Sequence, residues 1–173
     1  RYGQLGQGDT IRRSNPVQIA GTWRQIRAAD QGLKTVFGIK SDNSLWAWGD
    51  NQFGVLGQGN TTNLSSPKQI GALTSWYSVN SGAYHVISTK TDGTLWTWGD
   101  DSTGQLGLGN TTNYSSPKQV GALTNWSKIT TGGNFCAVIK TDGTLWIWGQ
   151  NSSGQLGLGN TTNYSSPKQV GSL

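Results

Sequence analysis

The chain has no glutamate and no methionine, and only one cysteine and one histidine in 173 residues. Each absence excludes something. A single cysteine, Cys136, forbids an internal disulfide. A single histidine, His85, lacks the clustered partners that a metal site or a catalytic triad needs. No acid/base pair and no nucleophile–base constellation stands out, so an enzyme ranks last among the functions considered. Strong helix formers are scarce while glycine numbers 26 and tryptophan 9, so the expected class is all-β. No apolar run approaches 18 residues, which argues against a membrane-inserted helix. No signal-peptide pattern is visible, and with Arg1 first and no methionine, residue 1 is not expected to be a translation start. No cofactor is expected.

Charge is unevenly placed. The formal net charge is +5, and all the arginines lie within the first 27 residues. Beyond residue 40 the lysines and aspartates cancel. The basic character therefore belongs to one end of the chain.

The dominant signal is repetition. Residues 104–121 read GQLGLGNTTNYSSPKQVG, and residues 154–171 read the same, letter for letter. Residues 54–71 are a close variant, and Gly3 opens a divergent fourth copy, GQLGQGDTIRRSNPVQIA. The pair Trp46/Trp48 recurs as Trp96/Trp98 and Trp146/Trp148. A period near 50 residues suits a four-stranded antiparallel propeller blade. TSWYSVNSG and TNWSKITTG read as first strands, and HVISTK and FCAVIK as second strands. Asp92-Gly93 and Asp142-Gly143 supply a tight hairpin turn. TLWTWG and TLWIWG read as third strands, with both tryptophans on one face. SPKQVG gives a short fourth strand whose leading Pro67, Pro117 or Pro167 fits an edge. The expected division is 1–22 as the end of a preceding repeat, then blades over 23–72, 73–122 and 123–173, with one extra fourth-type strand at 14–20.

Several residues receive a structural reading. Leu5, Leu56, Leu106 and Leu156, between the loop glycines, are expected to plug the gap between blades. Trp46, Trp48, Trp96, Trp98, Trp146 and Trp148 are assigned to core and interblade packing, ahead of an aromatic platform for sugars. Cys136 occupies the strand position of Val36 and Val86 and reads as a small buried hydrophobe. The Gly-rich loop lacks the following helix and the Lys-Ser/Thr pair of a phosphate loop. Asp100-Asp101-Ser102-Thr103-Gly104 offers oxygen ligands, but its counterparts at 50–54 and 150–154 do not keep the charge, so calcium is not expected. Asn60-Thr61-Thr62, Asn110-Thr111-Thr112 and Asn163-Tyr164-Ser165 are glycosylation sequons that composition alone explains.

Leu145-Trp146-Ile147-Trp148-Gly149-Gln150-Asn151 and Gly154-Gln155-Leu156-Gly157-Leu158-Gly159 resemble the repeat of the RCC1 (regulator of chromosome condensation) family, and the resemblance covers essentially the whole chain. The position where that family often has histidine holds Thr35, His85 and Phe135 in turn. The first copy also gains residues between Trp23 and Gly32. The resemblance implies a seven-bladed ring, which at this period needs roughly 350 residues. Three blades and a strand form an open arc with two apolar faces exposed. The arc is therefore expected to be a fragment of a larger propeller or to associate with copies of itself. A photoreceptor of the family carries a Gly-Trp-Arg-His-Thr motif that Gly21-Thr22-Trp23-Arg24 barely approaches, so light sensing is discounted.

Three functions are compared. The first is a non-catalytic scaffold for a protein partner, with Lys34, Tyr84, Asn134 and the NTTNYSS stretches as loop contacts. The second is a microbial or viral surface adhesin that binds glycans, which would place it outside the cell or on a virion. The third is suggested by the resemblance, since the family's founding member docks on chromatin and acts as an exchange factor for a small GTPase. Arg12, Arg13, Arg24 and Arg27 would then contact phosphates.

Overall fold

A computed structural model describes residues 2–29 and 34–171. The insertion that ends at Gly32 falls partly on residues 30–33, outside the described residues. Among the described residues all regular structure is strand, in three four-stranded antiparallel sheets. The first blade contains β1 (Trp23–Ala28), β2 (Thr35–Lys40), β3 (Leu45–Gly49) and β4 (Leu64–Gln69). The second contains β5 (Trp76–Ser81), β6 (His85–Lys90), β7 (Leu95–Gly99) and β8 (Tyr114–Gln119). The third contains β9 (Trp126–Thr131), β10 (Phe135–Lys140), β11 (Leu145–Gly149) and β12 (Tyr164–Gln169). Each sheet keeps chain order from first strand to fourth. No described helix is long and apolar enough to cross a membrane.

The hairpin between second and third strands shows how the sequence enforces the shape. The Asp92 carboxylate accepts from the Thr94 backbone N–H at 3.0 Å and from its hydroxyl at 2.6 Å. The Thr94 hydroxyl in turn accepts the Trp96 indole N–H at 2.9 Å. Gly93 takes φ +77°, and any Cβ there would collide with the Thr124 carbonyl of the next blade. Asp142, Thr144 and Trp146 repeat the chain of bonds, and Asp42, Ser44 and Trp46 do so with serine. One short motif thus closes the hairpin, orients a tryptophan and shapes the junction.

Two expectations about fourth strands need correction. They begin at Leu64, Tyr114 and Tyr164, so Pro67, Pro117 and Pro167 are interior rather than leading. In β4, β8 and β12 the proline falls where the ladder shifts register, and all three are edge strands, so the missing N–H breaks no pairing. Residues 14–20 form no strand. A fourth strand pairs with the third strand of its own blade, and residues 2–22 contain none.

The core lies between blades. Phe37, Ile39 and Leu45 of the first blade pack with Val79, Val86 and Trp98 of the second. Ile87 and Leu95 of the second pack with Cys136, Val138 and Trp148 of the third. The third blade's outward face has no such cover. Ile39 and Leu45 are fully buried, while their counterparts Ile139 and Leu145 are each 38% exposed. On the opposite end Ile26 is 48% exposed, against 1% for its counterpart Val79. The arc therefore presents an apolar surface at both ends.

Identical loops in different surroundings give a clean test. Gly104 (φ +81°) and Gly154 (φ +73°) share their sequence, but a Cβ on Gly104 would lie 2.6 Å from Ser165 Cα, whereas Gly154 faces open space. Gly154→Ala is expected to cost only the price of positive φ, about 1 kcal/mol. Gly104→Ala is expected to cost clearly more in urea unfolding, because backbone rather than a side-chain tip must move.

Candidate functional site

The junction between successive repeats is the most constant site in the molecule. The Trp98 indole N–H donates to the Val55 carbonyl at 2.6 Å, in the preceding repeat's glycine loop. Trp48 does the same to Gln4 at 3.0 Å and Trp148 to Gln105 at 3.0 Å. The same loop donates its Gly8, Gly59 or Gly109 N–H to the carbonyl of Ser65, Ser115 or Ser165 in the next fourth strand. Leu56, Leu106 and Leu156 are buried beneath these loops, while Leu5 is 42% exposed. Trp46, Trp96 and Trp146 are half-buried and meet Trp23, Trp76 and Trp126 edge-on.

A lysine completes each aromatic group, and sequence reasoning passed over it. Lys40, Lys90 and Lys140 place Nζ 3.7, 3.6 and 3.8 Å from the ring centres of Trp46, Trp96 and Trp146. Burial lowers the Lys90 pKa from its ordinary value. The signal was available, since these lysines recur every 50 residues just before the turn.

The proposed contact residues fall into three places. Arg12 and Arg13 line a hollow with Asp9, and Arg13 is held by that carboxylate at 2.7 and 2.8 Å. Arg24 and Arg27 lie on β1. Arg24 donates to the carbonyls of Trp76 and Tyr77 at 3.0 and 2.8 Å and stacks over the Tyr77 ring, so it binds the first blade to the second. The four arginines thus do not meet in one patch. Lys34, Tyr84 and Asn134 occupy equivalent loop positions. Their carbonyls accept the N–H of Asp50, Asp100 and Gln150 at 3.1, 2.9 and 2.9 Å. Above them, Gly49, Gly99 and Gly149 leave no room for a Cβ. The Tyr84 ring also packs on Phe53, and the Asn134 amide donates to Gln150.

Two buried polar groups lie at the junction of the second and third blades. His85 Nε2 is 3.2 Å from Cys136 Sγ, and Nδ1 has no partner among the described residues. Burial pushes His85 down to about 4, so the ring is neutral at pH 7. Burial raises the Cys136 thiol, and the nearby Asp101 charge adds to this, which keeps it protonated. Neither is an activated nucleophile or base. No group of three or more potential metal ligands occurs among the described residues.

Asp101 departs from its repeat. At the matching position Asn51 accepts the Leu56 N–H and donates its amide to the carbonyls of Asn60 and Thr62 at 3.0 Å each. Asn151 likewise donates to Asn160. Asp101 keeps only the acceptor half, from Leu106 at 2.8 Å, and its Oδ2 has no donor. Burial, with Asp100 nearby, raises its pKa to about 6.

Comparison with known proteins bears on this arrangement. The sequence profile of the regulator of chromosome condensation (RCC1) repeat matches residues 42–88, 92–139 and 142–173. The X-linked retinitis pigmentosa GTPase regulator of Canis lupus familiaris is 37% identical over 78 residues, covering 43% of this chain and 8% of that protein. The ultraviolet-B receptor of Arabidopsis thaliana is 35% identical over 81 residues, covering 40% of this chain and 16% of the receptor. The chain thus spans a small part of these relatives. Human WBSCR16 superposes with a TM-score of 0.82 at 24% identity, covering 97% of this chain and 46% of that one. Yeast RCC1 (Prp20), in its structure bound to Kap60, gives a TM-score of 0.82 at 18% identity over 98% of this chain and 43% of that one. At these identities the superpositions establish the fold: RCC1-type propeller blades.

The Asp101 geometry predicts a pH effect of definite sign. Its folded-state pKa lies above the ordinary 3.8, so the folded state binds the proton more tightly and stability rises as pH falls from about 7 towards 4. Asp101→Asn is expected to raise stability at pH 7 by about 1 kcal/mol. It should also flatten the pH dependence over that window, as read by chemical denaturation at pH 5 and pH 7.5.

Proposed function

The chain belongs to the RCC1 repeat family, and from that premise we propose that it is a non-catalytic scaffold that holds protein partners on the loops of one propeller face. The observation that carries this reading is the fixed backbone and varied chemistry at Lys34, Tyr84 and Asn134. Each carbonyl is clamped in the same way, while the side chain changes from cation to phenol to amide. A surface of that kind can change its specificity without disturbing the blades. The reading divides the chain into blades at 23–72, 73–122 and 123–173, preceded by the end of another repeat. It places the uncovered faces around Ile26 and Ile139 against further blades or further copies.

Protein binding is favoured over nucleic-acid binding because the arginines are dispersed and two of them are committed within the fold. Phosphate recognition gains its strength from many contacts acting together.

The test is affinity capture from the source cell, with captured proteins identified by mass spectrometry. A variant carrying Lys34→Ala, Tyr84→Phe and Asn134→Ala is expected to lose at least about fivefold of each specifically retained protein. A variant carrying Lys68→Ala and Lys118→Ala, on the outer strands, is expected to retain them. An unchanged set in the first variant overturns the reading.

A further inference from the structure

Neighbouring blades touch through their first and second strands, and residues of the first strands β1, β5 and β9 line a groove of about 320 Å³. Their sequences are WRQIRA, WYSVNS and WSKITT, which carry three cations and no carboxylate. Gln25, Arg27, Tyr77, Asn80, Ser127 and Lys128 are among the residues that face the groove.

The two ends of this groove differ in an instructive way. On the β1 side the free edge of β5 is already sealed. Arg24 donates to the Trp76 and Tyr77 carbonyls, and the Gln25 amide donates to the Val79 carbonyl at 3.1 Å while accepting its N–H at 3.3 Å. Arg24 is held by those carbonyls and by the Tyr77 ring, and it does not line the groove. Arg27 and Lys128 are exposed and make no ion pair or hydrogen bond among the described residues. Several cations elsewhere in the chain have a partner: Arg13 pairs with Asp9, Lys40, Lys90 and Lys140 with tryptophan faces, and Lys118 and Lys168 with tyrosine rings. In the groove two unpaired cations, Arg27 and Lys128, lie beside neutral hydrogen-bonding side chains from all three blades.

We propose that this inner groove binds an extended acidic peptide segment, with one carboxylate on Arg27, a second on Lys128, and the peptide's amides on Asn80 and Ser127. The surface is distinct from the loop positions 34, 84 and 134, and its occupancy does not depend on them. Peptide is favoured over nucleic acid because polyanion binding to nucleic acid relies on many phosphate contacts, about 6–10 for a salt-sensitive complex, and the groove offers two cations. Its size suits one or two carboxylate side chains and the backbone between them.

Fluorescence anisotropy with the full chain tests this. The probes are a labelled decapeptide of alternating Glu and Ser, its Lys/Ser counterpart, and a labelled decathymidylate. The Glu/Ser peptide is expected to bind, more weakly as salt rises from 50 to 500 mM, and the Lys/Ser peptide is expected not to bind. Arg27→Gln with Lys128→Gln is expected to weaken the Glu/Ser peptide by about tenfold or more, with an unchanged melting temperature. Arg12→Gln with Lys68→Gln removes the same charge outside the groove and is expected to change affinity less than about twofold. No anisotropy change up to millimolar protein overturns the proposal, as does equal weakening in the two double variants. Tighter binding of decathymidylate through Arg27 and Lys128 overturns the peptide assignment.

Discussion

The arc depends on one hydrogen bond repeated along it: an indole N–H given across a blade junction to a carbonyl in the preceding glycine loop. A blade of four short strands cannot bury its own apolar face, and here the buried side chains cluster across junctions. The indole bond fixes how the two sheets meet. It requires a large ring with a donor on one blade and a close backbone approach on the other. The loop glycines supply that approach: at Gly107 a Cβ would lie 2.6 Å from Trp148 Nε1. Trp98 and Trp148 are consequently fully buried yet satisfied, which a phenylalanine could match in area but not in bonding.

The junction also explains which positions are free to vary. Residues that turn the hairpin, latch the loop or fill the space beneath it recur in every repeat. Positions where the repeat holds the carbonyl in a constant way do not, as the change from Lys34 to Tyr84 to Asn134 shows. The histidine position is an instructive intermediate. Thr35 donates to the Asp50 carbonyl at 2.7 Å, His85 meets Cys136 across the junction, and Phe135 is half-buried. Gly82 and Gly132 lie against the His85 and Phe135 rings, so the same cavity takes a ring with or without a polar atom.

Most of the blade plan was legible in the sequence because it is local. The Asp-Gly turn, the paired tryptophans and the glycine loop each declare themselves within a few residues, and their recurrence sets the period. The contacts that failed to show are those between residues about 43 apart in the chain, such as Trp98 and Val55. No local pattern assigns donor to acceptor across that distance. The fourth strand began earlier than proline suggested because an edge strand tolerates proline in its interior. Residues 14–20 resemble 65–71 and so suggest a strand, but a strand is a relation between two segments, and residues 2–22 contain no third strand for it to pair with. The partners of Arg13 and Arg24 were hidden for the same reason: the sequence does not say that one turns to Asp9 and the other to the β5 carbonyls.

The letter-for-letter identity of residues 104–121 and 154–171 has a consequence for how the chain finds its structure. During refolding, the junction of the third blade can be offered either copy of the loop, and both carry the same glycines, leucine and carbonyls. The wrong copy differs mainly in the length of chain that must close around it. Local contact energy therefore discriminates poorly between correct and mispaired docking, and loop closure and covalent order make the selection. Repetition that makes the native arc easy to build also furnishes it with kinetic traps of nearly native appearance.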